Sequence, residues 1–252
     1  MFRQDIYLDS PWMNAAGTLG YLPPARWPVA GFNAKTMGAF VTNPVSLGAR
    51  TPAAERCQLP YPGGALIHSG LPNPGLSRVL RRYAARWAQA NLPIWVHLVG
   101  ASPDEINQMV RRLEGCEGVL AVEVGISPDA QGDQALAFVE AAYGELPLIV
   151  QIPLTRVSEE WVKELPNLGV SAVCLGSPRG ILPNDSGRPI GGRLYGPALF
   201  PLVLAGVRST RSLGIPVIAG AGIYRVQDAQ ALLDAGAWAI QLDTVLWRGW
   251  LG

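Results

Sequence analysis

Charge is scarce in this chain: Asp, Glu, Lys and Arg make up 15% of its 252 residues, against about a quarter in ordinary soluble proteins. The formal net charge is +1, so no basic field exists to hold a polynucleotide or an acidic membrane surface, and neither partner is expected. Lysine is scarcer still. Of twenty basic residues only Lys35 and Lys163 are lysines, which leaves two candidates for any chemistry that needs an ammonium group. The three cysteines, Cys57, Cys116 and Cys174, are odd in number and far apart; they fit neither a disulfide framework nor the paired spacing of a zinc site, and a reducing compartment follows. Long apolar runs are missing as well. The longest, residues 199–207, is interrupted by Pro201 and is too short to span a bilayer, and residues 2–7 lack a signal-peptide core. A cytoplasmic protein is expected.

What is present is apolar sequence, 49% of the chain, enough for a substantial core. Short β-branched or apolar runs alternate with helix-period segments along the whole length, the pattern of parallel strands joined by helices. Strands are expected at residues 12–16, 39–42, 94–98, 120–124, 148–152, 172–175, 217–219 and 239–242. Ser102-Pro103-Asp104-Glu105 reads as a capping box with proline at the first helical position, and Ile106, Met109, Val110 and Leu113 give the helix one apolar face. Further helices are expected at 76–90, 133–143, 158–165, 197–212 and 226–235. A parallel sheet needs both faces covered, so a single (β/α)8 TIM-barrel domain over residues 1–252 is the expected α/β fold. Two segments, 46–75 (after strand two) and 177–196, are too long for ordinary loops and are each read as a lid or hairpin at the strands' C-terminal ends. Only residues 245–252 follow the eighth strand, so the last helix is truncated. Trp247 and Trp250 then pack over the uncovered flank or against another subunit.

In a barrel the strand ends carry the chemistry. Strand one ends in Asn14-Ala15-Ala16-Gly17-Thr18, small residues that either let a ligand plane approach or form a tight turn. Asn43 after strand two and Gln151 on strand five offer amides, which bind polar groups or satisfy backbone but do not titrate. His68 and His97 have no second ligand at metal spacing and read as hydrogen-bonded structural residues; no metal is expected. Ser127, in Gly125-Ile126-Ser127-Pro128-Asp129, is either a proton acceptor or a turn former. Gly222 and Thr244, after strands seven and eight, suit a phosphate site, whereas Asp243 does not.

The order of these segments resembles the FMN-dependent dihydroorotate dehydrogenases, particularly the soluble class 1 enzymes. The likeness is carried by Met13-Asn14-Ala15-Ala16-Gly17-Thr18, Gly38-Ala39-Phe40-Val41-Thr42, Gly70-Leu71-Pro72-Asn73-Pro74-Gly75, Gly191-Gly192-Arg193-Leu194-Tyr195-Gly196-Pro197-Ala198, and Ile215-Pro216-Val217-Ile218 with Gly222-Ile223. The resemblance implies oxidation of dihydroorotate to orotate, a step of pyrimidine biosynthesis, with a Cys or Ser after strand four removing a proton while hydride passes to the flavin. It implies Ser127 as that base, and Ala16, Gly17, Asn43, Gln151, Gly192, Gly222 and Thr244 as cofactor contacts.

The same resemblance exposes departures. The family's Asn-aliphatic-Ser-(Cys or Ser)-Pro-Asn segment is one residue short here. Its lysines after strand two and on strand five match Asn43 and Gln151, and its substrate asparagines match Ile67 and Ser177. Its phosphate-site glycines match Ala221 and Asp243. A carboxylate about 5 Å from a phosphate repels each of its charges by about 3 kcal/mol at an effective dielectric near 20, unless Arg225 or Arg248 pairs with Asp243. The reading is a dihydroorotate dehydrogenase-like barrel whose oxidoreductase site is altered or lost, acting as a small-molecule binder or subunit, with FMN disfavoured. Its alternative is an active FMN oxidoreductase with Ser127 as base; an interaction scaffold using Trp247 and Trp250 is a third. Class 1 relatives suggest a homodimer.

Overall fold

The computed structural model describes residues 4–55 and 57–251; Phe2 and Arg3, part of the segment read as lacking a signal core, lie outside them, as does Gly252. In chain order, β1 (Trp12–Asn14) and β2 (Phe40–Val41) are followed by β3 (Cys57–Tyr61), β4 (Gly64–His68) and α1 (Leu76–Trp87). Next come β5 (Ile94–Leu98), α2 (Pro103–Glu114), β6 (Val119–Gly125), α3 (Gly132–Ala142) and β7 (Leu148–Pro153). After β8 (Ala172–Gly176) the chain makes β9 (Arg179–Pro183) and β10 (Pro189–Tyr195), then α4 (Phe200–Thr210), β11 (Val217–Gly220), α5 (Val226–Asp234), β12 (Ala239–Leu242) and α6 (Val245–Arg248). Eight parallel strands run in the order β1-β12-β11-β8-β7-β6-β5-β2, and a parallel bridge from Met13 to Ala39 closes the ring. This is the (β/α)8 barrel the alternating pattern predicts, and each expected strand overlaps one of its staves.

Period-two alternation divides the strand residues into two cores. Trp95, Ala121, Ile149, Ala172, Ile218 and Ala239 point into the barrel and are buried, one indole filling space that the surrounding alanines leave. Their neighbours Val96, Val122, Val150, Val173, Ala219 and Ile240 point outward beneath the helices. α2 begins where the capping signal predicts: the Ser102 hydroxyl accepts the Glu105 amide at 3.3 Å, and Glu105 Oε2 accepts the Ala101 amide at 2.8 Å. Ile106, Met109, Val110 and Leu113 form its buried stripe.

One element differs from expectation. The helix expected at 158–165 is a 3-10 stretch, Glu160–Leu168, with Pro166 inside it; proline lacks the amide an α-helical turn needs and crowds the carbonyl four residues back. The two long segments each fold as a hairpin, β3–β4 and β9–β10, which is one of the two forms expected of them. They join as one antiparallel sheet in the order β3-β4-β10-β9, with Leu66 opposite Leu194. α6 has four residues, and its flank is covered partly by Trp250, whose ring lies 6.3 Å from Trp12 and 5.9 Å from Phe32. Trp247 stays 55% exposed, tied by Nε1 to the Thr18 carbonyl at 2.9 Å. No helix among the described residues is long and apolar enough to cross a membrane.

Candidate functional site

The strands' C-terminal ends open into two adjoining cavities of about 250 and 340 Å³. Ile67, Ser177, Gln151, Arg193 and Tyr195 line both, so the four-stranded sheet and the barrel share one mouth. Ala16, Gly17, Asn43, Gln151 and Thr244 come together around the first cavity, with Asp243. Ser127 and Gly192 line the second. Gly222 lines neither. It adopts a positive φ of 70°, and a Cβ there would stand 2.6 Å from the Phe200 amide nitrogen, so its glycine serves the approach of this turn to α4. Gly192 has a packing role too, since a Cβ would meet Leu66 Cδ2 at 2.5 Å.

The side-chain oxygen of Asn43 is occupied structurally: Oδ1 accepts the Gly20 amide at 3.0 Å, and the Asn43 main-chain N–H donates to the Gly20 carbonyl at 2.7 Å. Ser127 is exposed. Its hydroxyl accepts the Asp129 amide at 3.3 Å, and Arg156 Nη1 holds its carbonyl at 2.9 Å; no side chain among the described residues is hydrogen-bonded to Oγ to take its proton. The turn reading of Ser-Pro-Asp therefore describes what Ser127 does locally. Lys163 pairs with Glu160 at 2.7 Å on the surface, Lys35 is exposed, and neither lines the mouth.

Below the mouth lies a polar layer of which the sequence marks only His97, as a hydrogen-bonded structural residue, and Gln151. His97 Nδ1 meets Glu123 Oε1 at 2.6 Å, and Gln241 Nε2 donates to Glu123 Oε2 at 2.5 Å. Gln151 Nε2 reaches Glu123 Oε1 at 3.5 Å, and the Cys174 thiol donates to Gln241 Oε1 at 3.1 Å. All five residues are buried. They share the inward parity of Trp95, Ala121, Ile149, Ala172 and Ala239, a signal present in the sequence once strand register is known. Burial, then the Glu123 charge, pushes the Cys174 thiol well above its ordinary pKa, so it stays protonated and is no nucleophile. His97 Nε2 is buried without a hydrogen-bond partner, and a Cβ on Gly125 would stand 3.0 Å from it. Imidazole thus fills the space beneath the residue matching the family's asparagine.

Arg193 is the other unforeseen group. It extends from β10, and its Nη1 donates to Gln151 Oε1 at 3.2 Å. That returns a cation to the place where the resemblance has a lysine and this chain has Gln151.

Asp243 also lines the first cavity. It is 3% exposed; Oδ1 accepts from the Thr244 hydroxyl at 3.3 Å, while Oδ2 has no hydrogen-bond partner. Burial raises its pKa to about 6, and the Thr244 amide and hydroxyl, with the amides of Val245 and Asp243 itself, offset only part of that. Neither Arg225 nor Arg248 pairs with Asp243. Arg225 turns to Asp228 at 2.7 Å because Asp228 follows it by one helical turn. Arg248 is exposed, and no ion pair to Asp243 exists among the described residues. The Tyr224 hydroxyl bonds the Thr244 hydroxyl, and burial together with the Asp243 charge lifts Tyr224 to about 12. No cluster of three His, Cys, Asp or Glu side chains suited to a metal ion occurs among the described residues.

Comparison with known proteins gives the following. The chain is 30% identical to a dihydroorotate dehydrogenase B (NAD(+)) catalytic subunit of Pelobacter propionicus over 95% of this chain and 84% of that protein. It is 26% identical to a putative dihydroorotate dehydrogenase A (fumarate) of Pediococcus pentosaceus, covering 95% of this chain and 85% of the relative. A crystal structure of DHODH from Eimeria tenella in complex with ferulenol superposes with a TM-score of 0.71 at 17% identity, over 95% of this chain and 77% of that one; at that identity it speaks to the fold alone. No protein-family model matches the chain.

Proposed function

Because this chain belongs to the dihydroorotate dehydrogenase family, we propose that it is a member whose oxidoreductase site has been altered, and that it binds a small molecule at the barrel mouth instead of oxidising dihydroorotate through FMN. The observation that carries the reading is Asp243: a buried carboxylate with a free oxygen, lining the cavity at the position matching the family's phosphate-site glycine. FMN ends in a phosphate bearing between one and two negative charges. Placed beside Asp243, it would meet an uncompensated anion in a site of low dielectric. The residues present do not fit that group.

The remaining positions support the same reading. Asn43 is bound into the loop after β1, Gln151 is neutral, and Ile67 and Ser177 line both cavities where the family has amides. Ser127 lacks an assisting base, and a lone hydroxyl is a poor proton acceptor. The alternative, a working oxidoreductase, draws on Arg193, which supplies one cation at the Gln151 side; it leaves Ser127 unassisted and Asp243 unpaired.

The test supplies purified protein with FMN, dihydroorotate and an artificial electron acceptor. No turnover above the protein-free background is expected. Turnover that disappears on Ser127→Ala would establish the alternative.

A further inference from the structure

Positive charge collects at the second cavity. Arg50, Arg179 and Arg193 line it, with Asp129 as the one carboxylate among its lining residues. None of these arginines forms an ion pair among the described residues; Arg193 rests on the neutral amide of Gln151. Two of them are set against each other. β10 pairs antiparallel with β9 in a register that makes Arg193 the partner of Arg179, so both side chains project from the same face of the sheet. Like charges directly opposite destabilise a strand pair, and Asp129 neutralises neither. On its other side Arg193 is the partner of Ile67, an apolar side chain with no acceptor to offer. An anion between the two guanidinium groups removes the repulsion.

We propose that the second cavity binds a compact phosphate monoester of sugar-phosphate size, with its phosphate held by Arg179 and Arg193 across the β9–β10 pair and Arg50 adding a third positive charge. The proposal rests on the altered-site reading and names the class of small molecule the mouth takes. A phosphate monoester carries close to two charges and three terminal oxygens at neutral pH, enough to accept the planar fork of each of two guanidinium groups; a lone carboxylate has one charge and two oxygens. The cavity, about 340 Å³, lies at the small end of ligand pockets, which suits a compact molecule. Ser69, Ser127 and Ser177 line it too and offer hydroxyls to the remainder of the ligand. Asp243, which repels a phosphate in the first cavity, does not line the second.

Calorimetric titration of the purified chain at constant, low ionic strength tests this, with ribose 5-phosphate and inorganic phosphate as probes and ribose as the uncharged counterpart. Both phosphates are expected to bind saturably and ribose not to bind. Arg179→Gln and Arg193→Gln should each weaken the phosphates by roughly tenfold or more, while Arg111→Gln, at an exposed arginine paired with Glu114, should leave them unchanged. Absence of saturable binding by either phosphate overturns the proposal. Unchanged affinity in either cavity variant overturns it as well, since the phosphate is then an adventitious ion only, and so does an equal loss in Arg111→Gln. Tighter, arginine-dependent binding of dihydroorotate would show a carboxylate site instead. Failure of phosphate binding without dihydroorotate turnover sinks this ligand assignment alone; turnover of dihydroorotate with FMN sinks the altered-site reading beneath it.

Discussion

At Asp243 the chemistry of one side chain governs both stability and selectivity. Its folded pKa of about 6 lies above the ordinary 3.8, so the folded chain holds this proton more tightly than the unfolded one. That contribution is fully present below pH 3.8 and is lost as pH rises through about 6; the ionised group then costs about 3 kcal/mol relative to acid. Asp243→Asn should therefore gain about 3 kcal/mol on the parent between pH 4 and 7.5, read by urea denaturation at a series of pH values. A difference independent of pH would contradict the assignment. His97 gives a second prediction. Truncation to Ala leaves the Glu123 carboxylate buried beside Gln241 without its imidazole and should cost about 3–5 kcal/mol; His97→Gln, which keeps a donor, should cost less. Asp243 was legible in the sequence because it interrupts a recognisable glycine position. The His97–Glu123 contact was not, since it depends on cross-strand register, with His97 beside Glu123 in the β5–β6 pair, and no local pattern encodes register between parallel strands.

Among the elements, the barrel strands were readable because each is a buried, β-branched or apolar run bounded by turn residues. The four-stranded sheet over the mouth was not, because its central pairing joins residues 65–67 to 193–195 and its strands are only partly buried, with proline and glycine among them. The join is testable at Gly196. Its φ is 140°, and a Cβ there would overlap the Gly63 carbonyl and stand 2.5 Å from Gly64 Cα. Gly196→Ala should loosen the β4–β10 contact, speeding amide exchange at Leu66 and Leu194 while Val122 and Val150 in the barrel keep their protection. Equal protection throughout would show that the sheet tolerates the strain. The same substitution should weaken any ligand held by Arg193, which projects from β10.

For the whole molecule, fold and chemistry separate. Closure of eight parallel strands is over-determined by outward-facing valines and inward-facing alanines, so the barrel survives replacement of nearly every polar group at its mouth, and fold alone does not fix function. The first cavity of this mouth pairs a partnerless carboxylate with Arg193 as its one lining arginine, the reverse of what an anionic coenzyme requires. The most direct measurement of that claim is FMN uptake by the unaltered, purified protein, judged from its visible absorbance after incubation with excess FMN and desalting. The account predicts colourless protein, with uptake appearing in Asp243→Gly; yellow protein carrying one FMN per chain without any substitution would contradict it.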